Sequence, residues 1–316
     1  MRTAQANGWR SLWRRARPVD RLTAGYILAF GLGVVVLGRG SDGWWHWALA
    51  HLLLFAAVVM VVQRWGECTS GIRGFVRLLY PAMLYPFFYR ETQIAVQWVF
   101  PDFLDHQIVA LERAVFGVDP NVWILPVQSA PLNDLFMLGY VSYYPLVAML
   151  PLALYFGRRY LELSRALYAM TTAFVISYAL FVLYPLEGPR YYLAGSLPGP
   201  LAGLCFVPLA NWVVGQGAIH GGCMPSSHAA VALVVMVWSW RTMPRLAMAV
   251  TPLVALLCVG TVWGRFHYVS DVAVGWVVGA TALWLTRGRE ALILPVPDRQ
   301  VLTESSRAGL FVDQRS

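Results

Sequence analysis

The sequence predicts an all-α fold, a polytopic transmembrane bundle of about eight helical spans. Three observations predict it. Hydrophobic residues make up 58% of the 316 residues and charged residues only 13%, whereas a soluble domain runs near half and a quarter. Several apolar stretches reach the roughly 20 residues that a helix needs to cross a bilayer. The basic residues fall mainly in the links between those stretches, as cytoplasmic loops require. The net charge of +8 therefore points to membrane topology and not to nucleic acid.

Taken in order, residues 1–21 form a basic cytoplasmic arm, with Arg10, Arg14, Arg15, Arg17 and Arg21 beside Trp9 and Trp13. Two N-terminal spans, at 22–38 and 44–63, occupy a segment that runs to residue 74. No small-residue cleavage site follows the arm, so the first span reads as a retained helix. Trp44, Trp45 and Trp47 open the second span at headgroup level. A further membrane domain is expected over 75–286. Its first span, 76–99, is interrupted by Pro81 and Pro86 and holds Arg90 and Glu91, expected to pair inside the bundle. Residues 100–131 carry Leu104, Ile108, Leu111 and Val115 at helical spacing, which predicts an amphipathic helix on the membrane surface. Further spans follow at 132–156, 164–185, 226–240, 245–263 and 267–286, and a polar tail at 287–316. Parity supports the third span. With eight crossings every Arg-rich link and both termini fall on the cytoplasmic side, and 186–225 falls on the other.

Three segments on that second side carry chemistry. His267 and Asp271 are four apart and share a helix face. An aspartate that holds Nδ1–H leaves Nε2 free as nucleophile or base, although the pair could equally be polar residues at headgroup level. Pro225-Ser226-Ser227-His228 begins a span. Ser226 or Ser227 can cap a helix whose N-terminus suits phosphate, and His228 can donate a proton to a leaving oxygen. Arg190, in Glu187-Gly188-Pro189-Arg190-Tyr191-Tyr192, is the only Arg of the 186–225 loop, and its guanidinium fork suits phosphate oxygens. The acidic residues nearby are not spaced as a cation cage, and no Cys-x-x-Cys pair occurs, so neither metal nor cofactor is expected. Cys205 and Cys223 share the outer loop and could pair in an oxidising compartment. His220 reads as loop structure. Together the segments suit metal-free phosphoryl transfer through a phosphohistidine.

These segments resemble the type-2 phosphatidic acid phosphatase superfamily, whose motifs read Lys-x6-Arg-Pro, Pro-Ser-Gly-His and Ser-Arg-x5-His-x3-Asp. Pro225-Ser226-Ser227-His228 matches the second with Ser for Gly, and His267-x3-Asp271 matches the end of the third. The chain departs from the pattern elsewhere. It contains no Lys, and Thr261 stands where the third motif has Arg, with Arg265 close by. Gly188-Pro189-Arg190-Tyr191-Tyr192, His267-Tyr268-x-x-Asp271 and the run from Leu104-Asp105 to Asp119-Pro120 are similar to the inositol phosphorylceramide synthase branch. The resemblance implies a six-helix core and a membrane lipid phosphatase or phosphotransferase acting on a lipid phosphate or phosphodiester, leaning to inositol-phosphate-type transfer. It implies that His267 attacks phosphorus, Asp271 orients it, His228 protonates the leaving group, and Arg190, Ser226 and Ser227 hold the phosphate. Arg265 is added as a phosphate ligand from its position, with a lipid headgroup as its other partner. The competing expectation is a non-catalytic membrane transporter or lipid-binding protein, favoured only by Arg90 and Glu91 at membrane depth. A transporter would be expected to show internal repeats, and none is seen.

Overall fold

The computed structural model describes residues 16–66 and 68–288. Most of the basic arm and nearly all of the polar tail lie outside them. Among the described residues the protein is helical, without strands. Five helices are long and apolar enough to cross a membrane: Pro18–Val36, Trp44–Trp65, Ala130–Phe156, Tyr160–Leu183 and Pro244–Trp263, with a shorter apolar helix at Val269–Leu285.

The first two, α1 (Pro18–Val36) and α2 (Trp44–Trp65), form a hairpin against the remainder. Two buried polar clusters hold it there. At the start of α1, Asp20 accepts bonds from Arg17, Arg77 and Tyr80, with the Arg77 pair at 3.0 and 2.7 Å. Farther along, His51 Nε2 stands 3.1 Å from Glu91 Oε2. The expected Arg90–Glu91 pair therefore does not form. Neighbours in sequence point to different sides of a helix, and Arg90 instead donates to the Gln216 carbonyl.

The expected span at 76–99 is two helices, α3 (Gly71–Met83) and α4 (Tyr85–Ala95), meeting at Leu84. Pro86 lies in the first turn of α4, where a missing N–H costs nothing. The surface helix is α5 (Asp105–Phe116), closed by Gly117 at φ 75° and followed by the one-turn α6 (Pro120–Trp123). Leu111 and Val115 point outward, 52% and 65% exposed, while Asp105 and Glu112 are buried beside Ile108 and Val109. Next to a bilayer the apolar face is free to turn outward, and the two acids find backbone donors within.

Two pieces, α7 (Ala130–Val141) and α8 (Tyr143–Phe156), make the next long helix, and α9 (Tyr160–Leu183) follows. The 186–225 loop holds the single turn α10 (Pro189–Tyr192) and a real helix, α11 (Phe206–Gly217). Asp134 caps α11 by accepting the N–H groups of Leu204, Cys205, Phe206 and Val207. The last three helices are α12 (Ser227–Thr242), α13 (Pro244–Trp263) and α14 (Val269–Leu285). The run Ala229–Val235 of α12 is buried throughout, which makes it the central helix. Gly275-x-x-x-Gly279 of α14 lies against it. A Cβ on either glycine would come within 2.5 Å of the Ser226 or Ala230 carbonyl, so the small residues set how closely the helices approach.

Candidate active site

The start of α12 and the start of α14 lie side by side, because the glycine contact draws them together and Ser226 N–H donates to the Asp271 carbonyl at 2.9 Å. This brings His228 and His267 face to edge, with ring centroids 5.7 Å apart. His267 is 5% exposed and its Nδ1 lies 3.2 Å from Asp271 Oδ2. The same oxygen accepts Tyr268 N–H at 2.9 Å and the Cys223 thiol at 2.8 Å. Asp271 is fully buried, and its Oδ1 has no partner. The ring of His228 packs on Tyr140 and Tyr143, and its Nδ1 is also unpartnered.

Arg190 reaches the same place from the other loop. Gly188 adopts φ 99°, a backbone state open to glycine, and Pro189 starts α10 directly after it. The guanidinium rests on the Tyr191 ring, 4.9 Å from its centroid, and donates to its hydroxyl. His220, expected as loop structure, braces the loop by bonding Glu187 at 2.7 Å. Arg190, Ser227, His228, Arg265, His267 and Cys223 all line a small polar pocket of about 60 Å³.

Not every expected ligand is placed alike. Ser226 does not line this pocket. It is fully buried, and its hydroxyl caps α12 by accepting Ala229 N–H at 3.3 Å. Arg265 lines the pocket, but its terminal nitrogens donate to the carbonyls of Pro198 and Gly199 and to Gln128. Cys205 and Cys223 do not pair. Both thiols are free, Cys205 exposed at the start of α11 and Cys223 buried against Asp271. Burial, reinforced by the Asp271 charge, pushes the Cys223 thiol well above its usual range.

Sequence reasoning missed the residues that hold the loops in register. Asp105, fully buried, accepts the N–H groups of Glu187 and Gly188 at 2.7 and 2.8 Å and the Tyr268 hydroxyl at 2.8 Å. It thus joins the Arg190 loop to the His267 segment. Glu112 accepts Ser270 N–H and Oγ–H at the head of α14, and burial raises its carboxyl despite those bonds. Asn121 donates to the carbonyls of Val262 and His267. The available signal was Asp105 and Glu112, seven apart and so on one face of a single helix.

A second cavity of about 1080 Å³ adjoins the polar pocket, walled mostly by apolar and aromatic side chains of α3, α4, α7, α8 and α11. Tyr89, Tyr140, Ser227 and His228 border both.

A family model described as the PAP2 superfamily matches residues 106–285, more than half of the chain. The chain belongs to the PAP2 superfamily. The matched stretch contains every residue of the polar pocket except Tyr89. Members are generally phosphatases, so this PAP2 protein reads as a membrane phosphatase-type enzyme with a lipid substrate. No curated protein and no solved structure gives a match.

Proposed function

We propose that the protein breaks a phosphoester of a membrane lipid through a phosphohistidine on His267, and passes the phosphoryl group to water or to an alcohol. The observation that carries this reading is a polar pocket faced by two histidines and two arginines beside a large apolar cavity that shares part of its wall. An amphiphile fits such a shape, with its phosphate between His267, His228 and Arg190 and its hydrocarbon chain among the aromatic walls.

Asp271 holds Nδ1–H of His267, which leaves the Nε2 lone pair for phosphorus. As the Nε2–P bond forms, the bond to the leaving oxygen breaks and His228 gives that oxygen a proton. In the second half His228 takes a proton from water or the acceptor alcohol, whose oxygen then displaces His267. Arg190, Ser227 and the free N–H groups at the start of α12 bear the charge on the phosphoryl oxygens. Arg265, tied to the 198–199 loop, lends its charge at the rim.

Of the two acceptors we favour an alcohol, with inositol-phosphate-type transfer as the specific form. The Gly-Pro-Arg-Tyr-Tyr and His-Tyr-x-x-Asp variants support it. The arginine-rich links support cytoplasmic termini, about eight crossings and a site on the opposite face. The full chain in liposomes, given a lipid phosphate or a phosphoinositide with and without a polyol acceptor, tests the proposal. Turnover is expected and should vanish in His267→Ala and His228→Ala. Full activity in His267→Ala would exclude the phosphohistidine.

A further inference from the structure

Cys223 has no task in that chemistry, yet it lies against both partners of the His267–Asp271 pair. Its Sγ is 2.8 Å from Asp271 Oδ2 and 3.5 Å from His267 Nδ1, and those two atoms are 3.2 Å apart. We propose that Cys223, His267 and Asp271 bind a Zn2+ ion and that its binding switches the catalytic histidine off. The inhibitory half rests on the phosphohistidine reading above; the binding half does not.

The spacing fits the ion. With zinc bonds of about 2.3 Å to sulfur and about 2.0 to 2.1 Å to nitrogen and oxygen, a tetrahedron has edges of roughly 3.5 Å from sulfur and roughly 3.3 Å between nitrogen and oxygen. The S–N and N–O separations already match. Only the S–O edge must open, by roughly 0.7 Å, as a metal replaces the thiol hydrogen between the two atoms.

Two further observations point the same way. Asp271 Oδ1 is a buried acceptor with no partner. Cys223 and His267 line the polar pocket, which gives the ion a way in and offers water as a fourth ligand. Three protein ligands and one exchangeable position are the arrangement of open zinc sites. A thiolate and a carboxylate also neutralise the dication, so no net charge is left in a buried place. Thiolate ligation selects a soft cation over magnesium or calcium.

The balance of binding is simple. Zn2+ forms a bond to Sγ, and the thiol proton leaves to solvent. Zn2+ also takes the Nδ1 lone pair of neutral His267, so the ring proton sits on Nε2. The nitrogen that should attack phosphorus then carries a hydrogen and has no free lone pair. Occupancy of Nδ1 is thus incompatible with attack through Nε2.

The test uses the full tag-free chain, purified in detergent and stripped with a chelator. Titration against a chromophoric zinc indicator should find one Zn2+ per chain, bound at least tenfold more weakly in Cys223→Ala and Cys223→Ser. Cobalt in place of zinc should give a thiolate charge-transfer band that Cys223→Ser lacks. Zinc should inhibit turnover of the lipid phosphate reversibly. Cys223→Ala, measured against its own zinc-free rate, should need at least tenfold more zinc. Equal zinc affinity in wild type and both Cys223 variants, or no stoichiometric binding, overturns the site. Zinc bound through Cys223 in a chain without phosphoester turnover would keep the site and remove the enzyme reading. His267-dependent turnover without zinc binding would do the reverse.

Discussion

Asp105 offers the sharpest perturbation of the site, because it touches none of the groups that would meet substrate. Its Oδ1 accepts Gly188 N–H and the Tyr268 hydroxyl, and its Oδ2 accepts Glu187 N–H. Bonds to a charged group contribute about 1.5 to 3 kcal/mol each. Asp105→Ala leaves three buried donors without an acceptor. Because the bonds share one carboxyl they are not additive, and the expected loss is about 3 to 6 kcal/mol. Asp105→Asn is milder. With its oxygen in the Oδ1 place it keeps two of the bonds and turns its amide against Glu187 N–H, for about 1 to 3 kcal/mol. Turnover should follow the same order. The carboxylate fixes the Arg190 loop relative to His267, and a shift of roughly 1 Å at a reacting group costs on the order of a hundredfold in rate. Asp105→Ala should therefore lose about two decades in kcat and Asp105→Asn about one, by the same proportion. Initial rates against lipid phosphate give the kcat and KM split, and thermal unfolding in detergent gives the stability. A fall in stability with kcat intact in Asp105→Asn would refute positioning and leave a purely structural role. Wild-type rate and stability in Asp105→Ala would refute both.

Other expectations are more compact. Gly275→Ala places a Cβ 2.5 Å from the Ser226 carbonyl, so it should destabilise by about 1 to 3 kcal/mol and slow turnover. Gly25→Ala, with open space around it in α1, should be neutral or stabilise by about 0.5 to 1 kcal/mol; a reversed order by thermal unfolding would contradict the helix contact. Ala148→Trp should fill part of the apolar cavity it lines and raise KM for a long-chain lipid phosphate while sparing a short-chain one; equal effects on both would remove the chain from that cavity. A membrane-impermeant maleimide applied to intact cells should label exposed Cys205 and leave buried, protonated Cys223 unmodified. Labelling of Cys205 only after permeabilisation would invert the topology.

Much of the site was legible as three short segments, since each residue type stated its own chemistry. A histidine and an aspartate four apart, a serine before a helix and a lone loop arginine are local patterns, and members of all three segments, Arg190, Ser227, His228 and His267, line one pocket. Ser226 was legible only as a cap. A hydroxyl that satisfies a helix terminus looks in sequence the same as one that faces a ligand. The parts that were not legible are the long-range ones. Asp105 meets its partners 82, 83 and 163 residues away. Helical spacing in 104–115 did not say which stripe members turn inward: Ile108 is buried while Leu111 and Val115 are exposed. Cys223 suggested a disulfide by sharing a loop with Cys205, while its real neighbours lie 44 and 48 residues on. The break at Leu84 was signalled by Pro81 and Pro86, yet proline alone does not say whether a helix ends or bends.

The buried cluster at the head of α1 bears on the order in which the chain is made. Helix α3 carries Arg77, 1% exposed in the finished fold, and is only 13 residues long. With Arg73 as well, so short a segment is a poor candidate for stable residence in lipid on its own. Its counter-charge, Asp20, lies 57 residues earlier. Synthesis therefore delivers the acid before the base that needs it, and the α1–α2 hairpin can wait in the bilayer as a docking partner. In this light α1 and α2 serve as an assembly platform, made first so that Arg77 of α3 has somewhere to settle.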